Sequence, residues 1–285
     1  MKLSLIITIL LMAAFKSYSQ EFWAIANEPC PVLNTSDFNS VFGGADGMTL
    51  KTDKEGLIRE LEFIALPGTV FELLGEYDYG THKIFHCTCD EYQYNVDLFI
   101  DSRFVEVANS PPPRQPRILP SKENIYAQLD KAVGKRYCWG GNYISGIKKL
   151  IEFYKPSLPL SEKQIDEWNL VGCDCSGLMY EATNGNTPRN TSKLINFGEP
   201  IEIAGLTAEQ IVSKLEPLDM LVWDGHVIYV YDKTTAIQSS LSRGGVIKTD
   251  LVTELTSLME TRKPVNDFES SKGKRFVIRR WYSEK

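Results

Sequence analysis

The chain has 285 residues, 43% of them hydrophobic and 24% charged. That is ordinary globular material for about two domains with their own cores. A net charge of −6 argues against nucleic acid as a partner, because phosphate binding needs a basic face, and it gives no support for electrostatic attachment to an anionic wall.

Met1-Lys2, an apolar run from Leu3 to Phe15 and the small residues Ser17 and Ser19 read as a secretory leader covering residues 1–19, cleaved before Gln20. The alternative, an uncleaved anchor, is disfavoured because the run is shorter than the roughly 20 residues a spanning helix needs. No Cys follows the run to carry a lipid, and no later stretch is apolar enough to span. The expectation is export to the periplasm or beyond, with no stable membrane insertion once the leader is removed. Export makes the six Cys candidates for disulfides. If Cys175 is free, five remain and cannot all pair. Cys30 bonded to Cys87 or Cys89, and six free thiols, both stay open.

From residue 20 to 108 the pattern is short strands between turns: Leu57–Leu66 (for which a helix is not excluded), Thr69–Leu74, Lys83–Cys89, Tyr94–Ile100 and Phe104–Val107. Such a series predicts a small β-barrel. Asn109 to Pro120 holds five Pro in twelve residues, a semi-rigid linker able to fix the first domain beside whatever follows. Residues 121–285 form the second domain. Ser121 caps a helix carrying Ile125, Leu129 and Ala132, which Gly134 ends. Asn142 to Leu170 brings an amphipathic segment around Ile147, Leu150, Ile151 and Tyr154, then a capping box at Ser161 and Gln164. Thr207 and Gln210 open another helix. Strands are expected over Met220–Val222, Val227–Tyr231, Ala236–Ser239, Gly245–Lys248 and Arg275–Trp281, with a short helix over Asp250–Glu260.

Gly172-Cys-Asp-Cys-Ser-Gly-Leu178 organises this second half. It reads as a loop entering a helix, with Asn184-Gly185 as its stop. A Cys in the first turn sits where unpaired N–H groups and the macrodipole favour thiolate. Of the three His, only His226 lies in a following β-rich run able to hold it rigidly; His82 and His86 lie far upstream. Cys175 on a helix start and His226 on a later strand is the order of a papain-like nucleophile and base.

Tyr137-Cys-Trp-Gly-Gly141, Asp174-Cys-Ser-Gly177, Pro188-Arg189, Leu218-Asp219 and Gly225-His226-Val227, in that order, resemble the NlpC-type family of papain-like peptidoglycan peptidases. The resemblance covers roughly Ile125 to Val246. Leu66-Pro-Gly-Thr-Val-Phe71 and Asp101-Ser-Arg-Phe-Val-Glu106 more weakly resemble the bacterial SH3-like module that often precedes that domain. The implied fold is α+β: an N-terminal SH3-like β-barrel, then a helix begun by Cys175 packed on an antiparallel sheet carrying His226 and Gln238. The insertion from Asn142 to Leu170 departs from the family and is a candidate wall or lid of the cleft.

The resemblance implies Cys175 as nucleophile, His226 as base, Gln238 as the residue orienting the imidazole, and Tyr137 near the reaction centre. It places Asp174 and Ser176 beside the nucleophile, Asp174 against a free substrate amine, and Arg189 with Thr191 against the carboxylate of D-glutamate. The implied substrate is a peptidoglycan stem peptide cut between the γ-carboxyl of D-glutamate and meso-diaminopimelate or lysine, by a monomer needing no cofactor and no metal. Each residue has a plain alternative: Cys175 a buried small hydrophobe, His226 a structural strand residue, Gln238 an exposed polar, Tyr137 a core aromatic, Arg189 a surface ion pair. A zinc site from Cys173, Cys175, His86, Cys87 and Cys89 lacks the usual ligand spacing. The rival functions are a non-catalytic wall-peptide binder, and acyl transfer or amide hydrolysis on the same scaffold.

Overall fold

The structure, a computed structural model, describes residues 15–44 and 46–283. Most of the expected leader lies outside them; its last residues, from Phe15, begin a strand. Seven strands build the first sheet: β1 (Phe15–Ala26), β2 (Cys30–Leu33), β3 (Leu61–Ala65), β4 (Val70–Asp78), β5 (Lys83–Thr88), β6 (Leu98–Asp101) and β7 (Val105–Ala108). All neighbours are antiparallel, in the order β3-β2-β6-β5-β4-β1-β7. The edge strands β3 and β7 do not pair, so this is an open sheet and not the closed barrel that the strand series predicts. Alternation of apolar residues identifies strands; it does not decide whether the apolar face closes on itself or is covered by something else.

The insertion supplies cover. After the proline-rich run come α1 (Lys122–Ala132), α2 (Lys149–Phe153), α3 (Glu162–Trp168) and α4 (Cys175–Ala182). Ile147, Leu150, Tyr154, Trp168 and Leu170 belong to the same buried cluster as Val32, Phe63, Phe71 and Ile100 of the first sheet. The Tyr154 hydroxyl donates to the fully buried Asp101 (2.5 Å), and Trp168 Nε1 donates to the Tyr154 carbonyl (3.0 Å). The Ser161–Gln164 capping box forms as read. The insertion is therefore part of the first core, although it lies in sequence within the second half.

The second half is built on α5 (Ala208–Val212), β8 (Met220–Trp223), β9 (His226–Val230), β10 (Thr235–Ser240), β11 (Gly245–Asp250), α6 (Leu251–Thr261) and β12 (Arg275–Arg280). Its antiparallel sheet runs β12-β8-β9-β10-β11. Helix α4 packs against α1 and against β9 and β10. Every residue of α4 except Glu181 is buried, as befits a helix apolar around its whole girth. The Leu218-Asp219 pair serves the frame: Asp219, 1% exposed, accepts from Arg280 Nε (2.9 Å) and Nη2 (2.8 Å) of β12.

Two polar ties join the halves beside α4. The Asn142 side chain acts as a strand neighbour to Ile64 of β3, accepting from its N–H (2.9 Å) and donating to its carbonyl (2.8 Å). Glu91 accepts from Tyr180 of α4 (2.7 Å) and from Arg117 of the linker (2.9 Å). The linker thus holds the two cores together, as its rigidity suggests.

Gly177 marks a close approach of α4 to the backbone before it. A Cβ there would lie 2.9 Å from Asn142 Cβ and closer still to the Gly141 carbonyl oxygen. Gly177→Ala should therefore push α4 off the Gly141–Asn142 segment and cost about 1–3 kcal/mol, the usual range for overpacking. An unchanged urea midpoint would show that the segment yields without strain.

Candidate active site

Asp174 is the N-cap of α4, its Oδ1 accepting from the Gly177 N–H (2.7 Å), so Cys175 is the first helical residue. The sequence argument expects the helix start to lower the thiol pKa. Burial wins instead. Cys175 is 7% exposed, and desolvation followed by the Asp174 charge pushes the thiol up to about 12. The Arg189 charge and backbone N–H donors from Val227 and Ser176 pull the other way without overcoming it. The helix start alone therefore does not set the state of this thiol.

His226 lies one residue from the Val227 N–H that meets the sulfur. His226 opens β9 opposite Trp223, across the two-residue turn Asp224-Gly225, where Gly225 supplies a φ of +95°. Tyr229 pairs with Ile237 and Val230 with Ala236, a register that sets positions 226 and 238 diagonally on one sheet face. Gln238 Oε1 lies 2.8 Å from His226 Nε2. An amide oxygen only accepts, so Nε2 carries the proton and the neutral ring keeps Nδ1 as its acceptor. Burial lowers the His226 pKa, and the bond to Gln238 opposes that shift. Tyr137 stands at the same place; burial, then the charges of Asp174 and Cys175, raise its pKa, so its hydroxyl stays a donor.

Arg189 corrects the sequence reading. It is 2% exposed, and its five N–H donors are all engaged within the protein. Nη1 and Nη2 grip Asp174 Oδ1 (3.0 Å) and Oδ2 (2.7 Å); Nη1 also reaches Ser176 Oγ (2.9 Å), Nε reaches Asn142 Oδ1 (3.0 Å) and Nη2 the Gly141 carbonyl (3.4 Å). No donor is left for a substrate carboxylate. Arg189 also neutralises Asp174, which weakens that carboxylate as a lone partner for an ammonium. Ser176 is buried, and its hydroxyl joins this cluster, donating to Asp174 Oδ1 (3.2 Å). Thr191 differs: its oxygen accepts from the Gly225 N–H (3.2 Å), and its own proton remains to be given.

A cavity of about 130 Å³ is lined by Cys175, Asp174, Ser176, Tyr137 and Thr191. Its far wall comes from the first sheet and its following loop: Leu61, Glu62 and Tyr92. Glu62 accepts from the Tyr92 hydroxyl (2.6 Å) and from Asn34 Nδ2 (2.7 Å). Sequence reasoning missed Glu62 and Tyr92. The available signal was a lone carboxylate at the partly exposed position of an otherwise buried β3. All six cysteines are free, buried thiols, so neither disulfide considered above is formed. No group of three or more His, Cys, Asp or Glu among the described residues is arranged to hold a metal ion, and His86 instead meets Asp97 (3.1 Å).

No protein-family model and no curated protein matches the chain. Solved structures similar to it include NlpC1 from Trichomonas vaginalis, at 13% identity and a TM-score of 0.39, covering 97% of this chain and 98% of that one. The peptidoglycan hydrolase RipB from Mycobacterium tuberculosis is 18% identical over 57% of this chain and 65% of its own, with a TM-score of 0.35. An NlpC/P60 family protein from Bacillus cereus is 12% identical over 92% and 64%, with a TM-score of 0.34. The chain thus spans just under two thirds of the length of these last two.

Proposed function

We propose that the chain is an exported cysteine peptidase that hydrolyses peptidoglycan stem peptides at the bond from the γ-carboxyl of D-glutamate to a diamino acid. The observation that supports the reading is the hydrogen bond from His226 to Gln238, with the next residue, Val227, meeting the Cys175 thiol at a helix start. In the proposed reaction His226 Nδ1 takes the Cys175 proton as sulfur attacks the amide carbonyl, and returns it to the leaving amine. The Cys175 N–H, one of the unpaired donors of the first helical turn, and the Tyr137 hydroxyl are the donors proposed for the oxyanion. Water then hydrolyses the thioester.

The small cavity bears on the acyl half of the substrate. It ends against Leu61, Glu62 and Tyr92, so it suits a short peptide with nothing beyond its N-terminus. We assign the free amine of L-alanine to the space between Asp174 and Glu62. Two carboxylates are needed there because Arg189 already balances one of them. Thr191, with a proton to give, is the proposed partner of the glutamate α-carboxylate. Glu62→Gln should weaken hydrolysis of peptides with a free N-terminus and leave N-acetylated peptides comparatively unaffected.

With L-Ala-γ-D-Glu-diamino acid peptides and mass-spectrometric product analysis, Cys175→Ala and His226→Ala should each lower kcat/KM by at least about 10³-fold. Gln238→Ala should cost roughly tenfold to a hundredfold, since it removes an orienting bond and not the proton carrier. Full activity in Cys175→Ala would overturn the mechanism. A wall-peptide binder would bind these peptides without releasing product, and an acyl transferase would give a transfer product when an amine acceptor is supplied.

The pH profile follows from His226. Its pKa in the fold lies below the ordinary value of 6.5, so the neutral, proton-accepting ring persists to lower pH. Hydrolysis should hold from pH 7 downward and fall with a midpoint below 6.5. The Gln238 bond favours the protonated ring, so Gln238→Ala should move that midpoint lower still. A midpoint above 6.5 would contradict the role given to burial.

A further inference from the structure

A second cavity, of about 590 Å³, opens on the other side of His226 and is walled by α6 and the turn after β10. Tyr137 and Gly225 line both cavities, so the two adjoin, with Cys175 on the narrow one and His226 on the wide one. If the acyl half of a substrate fills the narrow cavity, the residue bearing the leaving amine enters the wide one. Nothing derived so far uses its charged groups.

Arg243 and Arg262 face Glu254 and Asp224 in that wall. Glu254 is already paired with Arg243 (3.4 Å), and Asp224 is exposed on the hairpin turn. Among the described residues, Arg262 of this wall has no ion-pair partner. Its guanidinium lies over the Trp223 ring, 4.6 Å from the centroid, and that ring is 5.1 Å from the His226 ring. Its Nε is buried with no hydrogen-bond partner among the described residues, and Nη1 makes a long bond to Thr261 Oγ1 (3.4 Å). A buried guanidinium N–H without an acceptor is costly, and an incoming carboxylate would satisfy it. Gln238, 3% exposed, also lines this cavity, and its Nε2 has no partner. Two unsatisfied donors thus border the space beside the imidazole.

We propose that Arg262 is a specificity-determining residue that binds a carboxylate on the side chain following the scissile bond, so that the chain selects meso-diaminopimelate over lysine. The two diamino acids carry an ammonium at the same carbon, which Glu254 or Asp224 can meet in either case. Only diaminopimelate adds a carboxylate there. The inference rests on the hydrolysis proposed above, and its test separates the two.

The full chain is assayed on L-Ala-γ-D-Glu-meso-diaminopimelate and L-Ala-γ-D-Glu-L-lysine. The ratio of kcat/KM values should favour diaminopimelate by about tenfold or more, the usual return on a charge-assisted hydrogen bond. Arg262→Gln should bring the ratio to within about threefold of one, and Arg262→Lys, which keeps the cation, should retain part of the preference. A wild-type ratio near one, or a preference that survives Arg262→Gln, overturns the proposal. If neither peptide is cut, the hydrolytic reading fails, and calorimetric binding of the same peptides to the Cys175→Ala protein decides the role of Arg262 alone. Tighter binding of the diaminopimelate peptide, lost in Arg262→Gln, sustains it; equal or no binding overturns it.

Discussion

The buried pair of Asp174 and Arg189 is the interaction on which the rest of the site depends. Two charges removed from water are tolerated only when nearly every donor and lone pair finds a partner. Here Arg189 spends its donors on Asp174, Ser176, Asn142 and Gly141, while Asp174 also caps α4 through the Gly177 N–H. One ion pair therefore fixes the start of the helix that carries Cys175. It also fixes Asn142, which in turn grips Ile64 in the first sheet. The wall made by Leu61 and Glu62 and the sulfur of Cys175 are held in one frame by a short run of hydrogen bonds.

Within that frame burial acts in opposite directions on the two groups proposed to react. Burial raises the thiol and lowers the imidazole, and both shifts disfavour a standing thiolate–imidazolium pair. The helix start still matters, because its N–H groups remain available when negative charge develops on a substrate oxygen. Its contribution belongs to the transition state more than to the resting sulfur.

Much of this was legible in the sequence. The capping residues Ser121, Ser161, Thr207 and Asp250 each mark a helix start that the fold keeps. Alternating apolar residues located the strands of the second sheet to within a residue or two, and the spacing between His226 and Gln238 fits a hairpin whose register brings them together. Direction was not legible. Nothing local to Arg189 says whether a guanidinium turns to solvent, to a substrate or to an aspartate fifteen residues earlier. Glu62 and Tyr92 were missed for a related reason, since they reach the site only through contacts between the two halves. The barrel expectation failed because strand patterning is local, while the way a sheet is covered is decided by distant segments such as Tyr154 and Trp168.

That cover changes what counts as a separable piece of this molecule. The proline-rich run looks like a place to divide the chain, and its backbone forms no regular structure. Yet Ile147, Leu150, Tyr154, Trp168 and Leu170, which lie beyond it, complete the core that begins before it. A fragment starting at Ser121 would carry these side chains into water, and one ending at Ala108 would bare the sheet face they occupy. The two halves are interlocked in the manner of a single folding unit, so neither is a module that evolution or an engineer can exchange whole. Any transplant of the second half must bring its own replacement for that sheet.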